Sequence, residues 1–450
     1  MGFNEPCIYR VPSRIRDVKP EAYTPRMVVI GPLHRYPKST TIDGAETSSY
    51  PWHIKQEYSM MEARKKVYFE TFSKYGDAIV KMRKIVQGEE KKIRDSYEES
   101  TEWIPSEYFV DLILHDAVFI MQFLLTTRIG RSYDEILDQE SVVRNDLILL
   151  ENQLPFFILD RLFSSDRSFM TDVMLLHRCP TIKDFILNAF GLIIEENPNF
   201  KHFTDMFRYV YEKSLDNISG YVKLTPWSWP HNIELMNADN LSKGGVKFKT
   251  TINKGLLNLY DPAAIPRSIW RTPPMPNEVN DIKRAMFGVF SLHVEFKKGR
   301  LTMPSFRANE WFDMVLRNVI AFEQCHVSLT PFTTNYVHFL NFLITSDRDV
   351  EVLSEEGVVT NNIGRVSLVV DMVNKLQVGV KVGTTSQYFY IAEDLRAHCK
   401  SRRKRCWATL RKVYFSDLWT GTATLAAAFL LLLTLVGTVA SVIQAYKSFK

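Results

Sequence analysis

The chain has 450 residues, 46% hydrophobic, 12% aromatic and 24% charged, which is ample material for a large packed core and too little polar bias for a disordered protein. Its formal net charge of +5 is mild, and the body lacks a basic stripe interleaved with aromatics, so no nucleic-acid partner is expected. Five cysteines, Cys7, Cys179, Cys325, Cys399 and Cys406, are odd in number and show no Cys-x-x-Cys spacing; this speaks against a disulfide framework or a zinc module and for a reducing compartment.

The start, "MGFNEPCIYR", lacks the apolar stretch of a signal peptide, and Pro6 stands where N-myristoylation needs Ser or Thr. Residues 1–59 read as an extended, proline-punctuated segment and linker. From about Met60 to Val86, Met61, Tyr68, Phe72, Tyr75, Ile79, Met82 and Val86 recur at helical spacing. The stretch "YFVDLILHDAVFIMQFLLT" is apolar nearly all round and must be a buried helix; within it His115 reads as a satisfied core histidine rather than as half of a charged pair with Asp116.

"NDLILLENQLPFFIL" sets the polar triplet Glu151, Asn152 and Gln153 inside an apolar run. Asp146 reads as the start of a helical segment, Pro155 would clash with the carbonyl of Glu151 in a continuous helix, and Asn152 is a candidate N-cap for the helix that follows. The triplet is therefore expected to be a buried corner whose side chains tie one helix end to the next. Together with Glu323 and Gln324 of "VIAFEQCHV" it forms a structural polar corner. Glu151 and Glu323 are also the two candidates for general-acid chemistry if the chain is an enzyme, since burial raises a carboxyl pKa. Cys325 and His326 are adjacent and would point about 100° apart on a helix, a poor pair for a thiol nucleophile.

The helical body is expected to run over 60–213 and to resume over 307–395. Between them, 214–306 is a loop-rich insertion with "TPWSWPHN" and "YDPAAIPRSIWRTPPMPNE" and three strand candidates, "GVKFKTT", "VFSLHVEF" and "LTMPSF". Lys297-Lys298-Gly299-Arg300 is a hairpin signal between the last two. In the second helical part, Asp349 is placed to cap a helix that Gly357 terminates. The fold class is mainly α: a helical body with a small antiparallel β-element and one C-terminal transmembrane helix.

That last helix is the strongest physical signal. Gly421 to Gln444 runs 24 residues without a charge, roughly 36 Å of helix against a hydrocarbon core of ~30 Å, with Trp419 and Tyr446 as interfacial anchors. The basic juxtamembrane segment 396–420 carries Arg402, Arg403, Lys404, Arg405, Arg411 and Lys412, candidates for contact with anionic lipid, whereas only Lys447 and Lys450 follow the span. The positive-inside rule then places the body in the cytosol. Little chain follows the span, so insertion is expected after synthesis. Cys399 and Cys406 flank the basic cluster as candidate palmitoylation sites. Asn217-Ile-Ser219 and Asn240-Leu-Ser242 are sequons that matter only if the body lies outside the cytosol. Ala423, Ala427, Gly437 and Ser441 permit close helix approach and so a homo-oligomer. No phosphate loop, GxGxxG, HExxH or GxSxG is present, no metal-ligand spacing is found, and neither cofactor nor catalytic residue is expected.

Several stretches together, "IYRVPSRIRDVKPEAYTPRMVVIGPLHR", "MMEARKK", "DLILLENQLPFFIL", "GGVKFK", "RNVIAFEQC" and "FLITSDRDVEVLSEEGVV", followed by the terminal span, resemble the plant family known as domain of unknown function 247. The blocks occur in the family's order over about Ile8 to Tyr446. The linker "YPKSTTIDGAETSSYPWH" is longer than the family's pattern, and "MNADNLSKGGVKF" departs from its usual start. The resemblance implies a land-plant protein at the plasma membrane, in a family with no established reaction and with some grass members tied to self-incompatibility. A non-enzymatic recognition or signalling protein acting through an unknown protein partner is the expectation. An enzyme using Glu151 and Glu323, or an extracellular recognition protein, are the alternatives.

Overall fold

A computed structural model of the chain describes residues 5–37, 52–73, 78–129, 140–164, 179, 181–190, 192, 198–216, 236–251, 291–382, 386, 388–400 and 418–448. In chain order its helices are α1 (Ser13–Arg16), α2 (Ser59–Ser73), α3 (Ala78–Asp95), α4 (Ser106–Ile129), α5 (Glu140–Asp146), α6 (Phe156–Ser164), α7 (Ile182–Ala189), α8 (Phe203–Asp216), α9 (Ala238–Lys243), α10 (Glu310–Cys325), α11 (Phe332–Leu343), α12 (Asp347–Glu355), α13 (Val366–Lys375), α14 (Tyr388–Lys400) and α15 (Leu418–Ser448). The strands are β1 (Tyr36–Pro37), β2 (Trp52–His53), β3 (Lys247–Thr251), β4 (Glu295–Lys297), β5 (Arg300–Pro304), β6 (Phe306–Ala308) and β7 (Val359–Asn361).

Helix α4 is the central post, as its all-round apolar sequence requires: Phe109, Ile113, Leu114, Ala117, Val118, Phe119, Ile120 and Phe123 are all buried. Helices α2 and α3 pack on it, α3 also packs on α6, and α10 packs against α8 and α11. One continuous apolar core runs from Cys7 to Cys399, so the helices before and after the insertion share it. The body is mainly helical with a small sheet, as expected. The periodicity from Met60 to Val86 divides between α2 and α3.

The sheet has the order β3-β5-β4. Its β4–β5 hairpin is antiparallel and turns on Lys298 and Gly299, both with positive φ of 50° and 77°, the geometry of a two-residue type I′ turn. Strand β3 adds to β5 in parallel, with Phe248 beside Leu301, while β6 pairs in parallel with β7. The loop-rich sequences from Tyr221 to Pro230 and from Tyr260 to Glu278 lie outside the described residues.

Helix α12 corrects one detail. Ser346, not Asp349, is its N-cap, and Asp349 takes the third helical position of a capping box. The Asp349 carboxylate accepts from Thr345 N at 3.1 Å, Thr345 Oγ1 at 2.9 Å and Ser346 N at 2.8 Å, and from Asp239 N of α9 at 2.9 Å. It joins two helix N-termini. Gly357, with φ 72°, ends α12 where Val358 N donates to Leu353 O at 2.8 Å. Asp349→Ala removes the shared acceptor of these half-buried donors and is expected to cost about 1–2 kcal/mol, read as a lowered denaturation midpoint of the full chain in detergent, with Asp349→Asn intermediate.

Candidate functional site

Residues Cys7 to Arg35 cross the body with little regular structure, only α1 and a single 3-10 turn at Pro20–Tyr23. Yet Ile8, Val28, Val29 and Ile30 are fully buried. Buried backbone must find hydrogen-bond partners; Ile8 pairs with the backbone of Ser96 and Glu98, and from Arg26 to Gly31, where no strand lies alongside, the partners are side chains. Asp146 accepts from the amides of Arg26 at 2.9 Å, Met27 at 2.7 Å and Val28 at 2.9 Å. Asn152 Oδ1 accepts from Ile30 N at 2.7 Å, and its Nδ2 donates to Val28 O and Asp146 O, both at 2.9 Å. Asp116 accepts from Gly31 N at 2.8 Å, Glu151 from Val11 N at 2.6 Å, and Asn318 Nδ2 donates to Ala22 O at 2.8 Å. The N-terminal segment is a strap, and the polar corner is its clasp.

Each member of the triplet has a separate task. Gln153 Nε2 donates to the carbonyls of Leu147 and Leu149, both at 2.7 Å, while its Oε1 accepts from Phe203 N, the first amide of α8, at 2.9 Å. It thus links the chain leaving α5 to the start of α8. Asn152 serves the strap and is not the N-cap of α6, which begins four residues later; Asp146 ends a helix rather than starting one. Glu151, 2% exposed, is met by Arg10 at 3.2 Å, by Arg16 and by His34 at 3.7 Å.

Glu323 lies elsewhere, with no hydrogen-bonding partner in common with Glu151. Its carboxylate accepts from Thr333 N at 2.9 Å, Thr334 N at 2.8 Å and Thr334 Oγ1 at 2.7 Å, so α10 caps the first turn of α11, whose own N-cap position is Pro331 with no capping side chain. Burial pushes the Glu323 carboxyl above its ordinary value against the pull of these donors. Gln324 exchanges two 2.8 Å bonds with the backbone of Lys381. Cys325 and His326 do diverge: the thiol, pushed up to about 12 by burial, points to Arg10 O at 3.7 Å, and the ring meets Lys201 at 3.3 Å and Ser328 at 3.0 Å.

A second buried charge cluster escaped the sequence reading. Lys65 and Asp116, each 1% exposed, pair at 2.6 Å; Arg35 holds Glu62 through two 3.1 Å bonds; and Lys65 also donates to Glu62 at 2.7 Å and to Val29 O. Glu62 is pulled down to about 2 by Lys65 and Arg35 in spite of burial, the largest single influence, which pushes the other way. His115 points elsewhere, its ring 4.2 Å from Phe69. The signal available in sequence was the spacing of Glu62 and Lys65 in "MMEARKK", one helical turn apart.

Of the other residues singled out, Arg402, Arg403, Lys404, Arg405, Cys406, Arg411 and Lys412 lie outside the described residues, as does Asn217. Cys399 is buried, its Sγ against Gly244, where a Cβ would come within 2.5 Å of the sulfur. Among the described residues no group of three or more His, Cys, Asp or Glu could hold a metal ion. Both candidate carboxylates are taken up by donors from the chain itself, an arrangement that positions backbone.

Among the described residues two helices are long and apolar enough to cross a membrane. Ser106–Leu125 of α4 is 78% buried and forms the core, whereas Thr424–Gln444 of α15 is wholly exposed. The fold and the clasp therefore define a class: a helical body fastened by its own N-terminal strap and carrying one exposed apolar helix near its C-terminus. The chain belongs to the domain of unknown function 247 family, described as "Plant protein of unknown function", whose model matches residues 8–433. It is similar to the UPF0481 protein At3g47200 of Arabidopsis thaliana, 25% identical over 447 residues that cover 97% of this chain and 86% of the relative. It is also similar to the putative UPF0481 protein At3g02645 of the same plant, 22% identical over 493 residues, covering 95% and 88%. No solved structure matches.

The clasp makes two predictions. Glu151→Ala leaves Arg16 and the buried Val11 amide without this acceptor and Arg10 with Glu99 alone, and should cost about 2–3 kcal/mol, with Glu151→Gln losing less, as read by denaturant titration. The second concerns pH. Burial, reinforced by Arg10 and Arg16, pushes His34 down to about 3, and burial pushes His202 down to about 4 against the pull of Asp205. Unfolding lets both rings take up protons, so the stability they confer is complete above about 6.5 and is lost as pH falls toward 4 and below. Asp146, pushed up to about 6 by burial, works in the opposite sense: its contribution is complete below about 3.8 and is lost as pH rises through 6. The two histidine shifts are the larger, so the urea midpoint should be lower at pH 5 than at pH 7. His34→Gln should flatten that dependence; an unchanged slope would remove His34 as its cause.

Proposed function

We propose that this chain is a non-enzymatic, membrane-anchored interaction protein of plant cells, its body held on the cytosolic face of the plasma membrane by α15 and offered there to a protein partner. The observation that carries this reading is the exposure of α15. Leu425, Phe429 to Leu433, Leu435, Val436, Val439, Val442 and Ile443 all face outward from a helix of 31 residues. Burying such a surface in hydrocarbon removes it from water at about 25 cal/mol per Å². The hydroxyls of Thr434, Thr438 and Ser441 donate to carbonyls of the preceding turn, which meets their needs inside lipid. The cytosolic orientation is supported by the basic residues between 400 and 412 on one flank of the span. The non-enzymatic reading is supported by the saturation of Glu151 and Glu323 with structural donors.

Expressed in plant cells with an N-terminal tag, the full chain should remain in the membrane pellet after alkaline carbonate washing, and deletion of residues 421–444 should release it. Asn240 is exposed on α9 and reports orientation: it should carry no glycan, while protease added from the cytosolic side removes the tag. A glycosylated Asn240 with a protected tag would overturn the orientation and make extracellular recognition the better reading.

A further inference from the structure

The outward face of the β3-β5-β4 sheet is unusually basic. Lys247, Arg300 and Lys297 are register neighbours across the three strands and all are exposed, while the next row along the same face holds Lys249, Thr302 and Glu295. Like charges set directly opposite each other on a sheet cost stability. Glu295 relieves only Lys297; among the described residues Lys247, Lys249, Lys298 and Arg300 make no ion pair. The turn adds to the cost, because Lys298 holds a φ of 50° at a position that normally goes to Asn, Asp or Gly. A face that accumulates cations at the expense of folding stability suits an anionic surface.

Its place in the chain says which one. The inner side of the sheet is core, with Phe248, Leu301 and Met303 buried and Phe296 edge-on to His398 of α14 at 5.4 Å. The turn abuts the last turn of α14: a Cβ on Gly299 would lie 2.8 Å from His398 Cε1. Beyond Lys400 only residues 401–417 separate α14 from α15, and fully extended they reach roughly 60 Å at ~3.5 Å each. They carry Arg402, Arg403, Lys404, Arg405, Arg411 and Lys412. The basic face is thus tethered within reach of the bilayer that α15 would enter, and the tether supplies the effective concentration that weak, sequence-independent attraction requires.

We propose that Lys247, Lys249, Lys297, Lys298 and Arg300 form a second membrane-contact surface, docking on anionic lipid headgroups of the bilayer crossed by α15 so that the body lies against the leaflet. This rests on the anchored, cytosol-facing reading above and adds to it a surface in the folded body. Each basic residue near an anionic leaflet shifts the docked population by roughly fivefold, and the effect fades beyond a Debye length of about 8–10 Å.

The test is amine footprinting, read by mass spectrometry, of the full chain in nanodiscs of phosphatidylcholine alone and of phosphatidylcholine with phosphatidylserine. Labelling of Lys247, Lys249 and Lys298 should fall roughly fivefold or more on the anionic discs and recover in high salt, with Lys81 and Lys91 of α3 unchanged. A double variant, Lys247→Glu with Lys298→Glu, should keep the denaturation midpoint and lose the protection at Lys249. Equal labelling on both discs, with the chain incorporated, overturns the docking surface and leaves the anchor standing. Equal protection on neutral discs overturns it as a charge-driven contact. Protection that appears only on adding poly-glutamate assigns the face to an acidic protein instead and likewise overturns it. A chain that enters neither disc removes the anchored reading itself.

Discussion

The structure depends on carboxylate and amide side chains taking the place of a β-strand. Ala22, Tyr23 and Val28 to Gly31 of the strap are buried, and its amides and carbonyls are met by Asp146, Asn152, Asp116, Asn318 and Lys65 instead of by a neighbouring backbone. A buried peptide group without a partner costs a few kcal/mol, so several left open would exceed the net stability of an ordinary domain. Asp146 alone meets three successive amides. Helices that supply these partners, acceptors from α4 and α5 and donors from α2 and α10, are drawn from both ends of the body. The strap can seat only when they are already assembled, and they leave charged groups unpaired in an apolar interior when it is absent. Strap and helices therefore constitute one cooperative unit.

Two helices of nearly the same apolar character meet opposite fates, and the reason lies in their neighbours. Helix α4 is packed by α2, α3 and α7, and its Asp116 answers Lys65 and the strap. Helix α15 has no ionisable residue in its apolar stretch that needs an answer, and no part of the body covers its surface. Length alone cannot separate the two. One polar residue with a defined partner can, because a lone carboxylate is affordable in a protein core and far more costly in hydrocarbon.

The helices and the hairpin were legible in the sequence because their signals are local. Periodicity marked α2 and α3, all-round apolarity marked α4, and Lys298-Gly299 marked the turn. The clasp was only half legible. That Glu151, Asn152 and Gln153 are a buried corner follows from polar groups inside an apolar run, but the strap partners of Glu151 and Asn152 lie more than a hundred residues away in a segment without periodicity, for which sequence offers no register. Asp146 was misread for the same reason: a carboxylate at a helix end looks like a cap, and its three strap amides are 118 to 120 residues distant. The Lys65–Asp116 pair was hidden because each residue has a bland local explanation, a solvated lysine and a helix carboxylate.

Two glycines show how α14 is seated on the body. Gly244, following α9, leaves room for the thiol of Cys399, and Gly299, in the hairpin turn, leaves room for the ring of His398. A side chain at either site would displace the last turn of α14. Both glycines serve close approach, and Gly299 also meets the positive φ that its turn demands. The end of α14 is consequently fixed against the same sheet whose outer face carries Lys247, Lys298 and Arg300. A force acting on that face is borne by the packed core through Phe248 and Leu301, and not by the tether alone. Rigid seating of α14 is what makes the orientation of the basic face relative to the emerging chain a property of the fold.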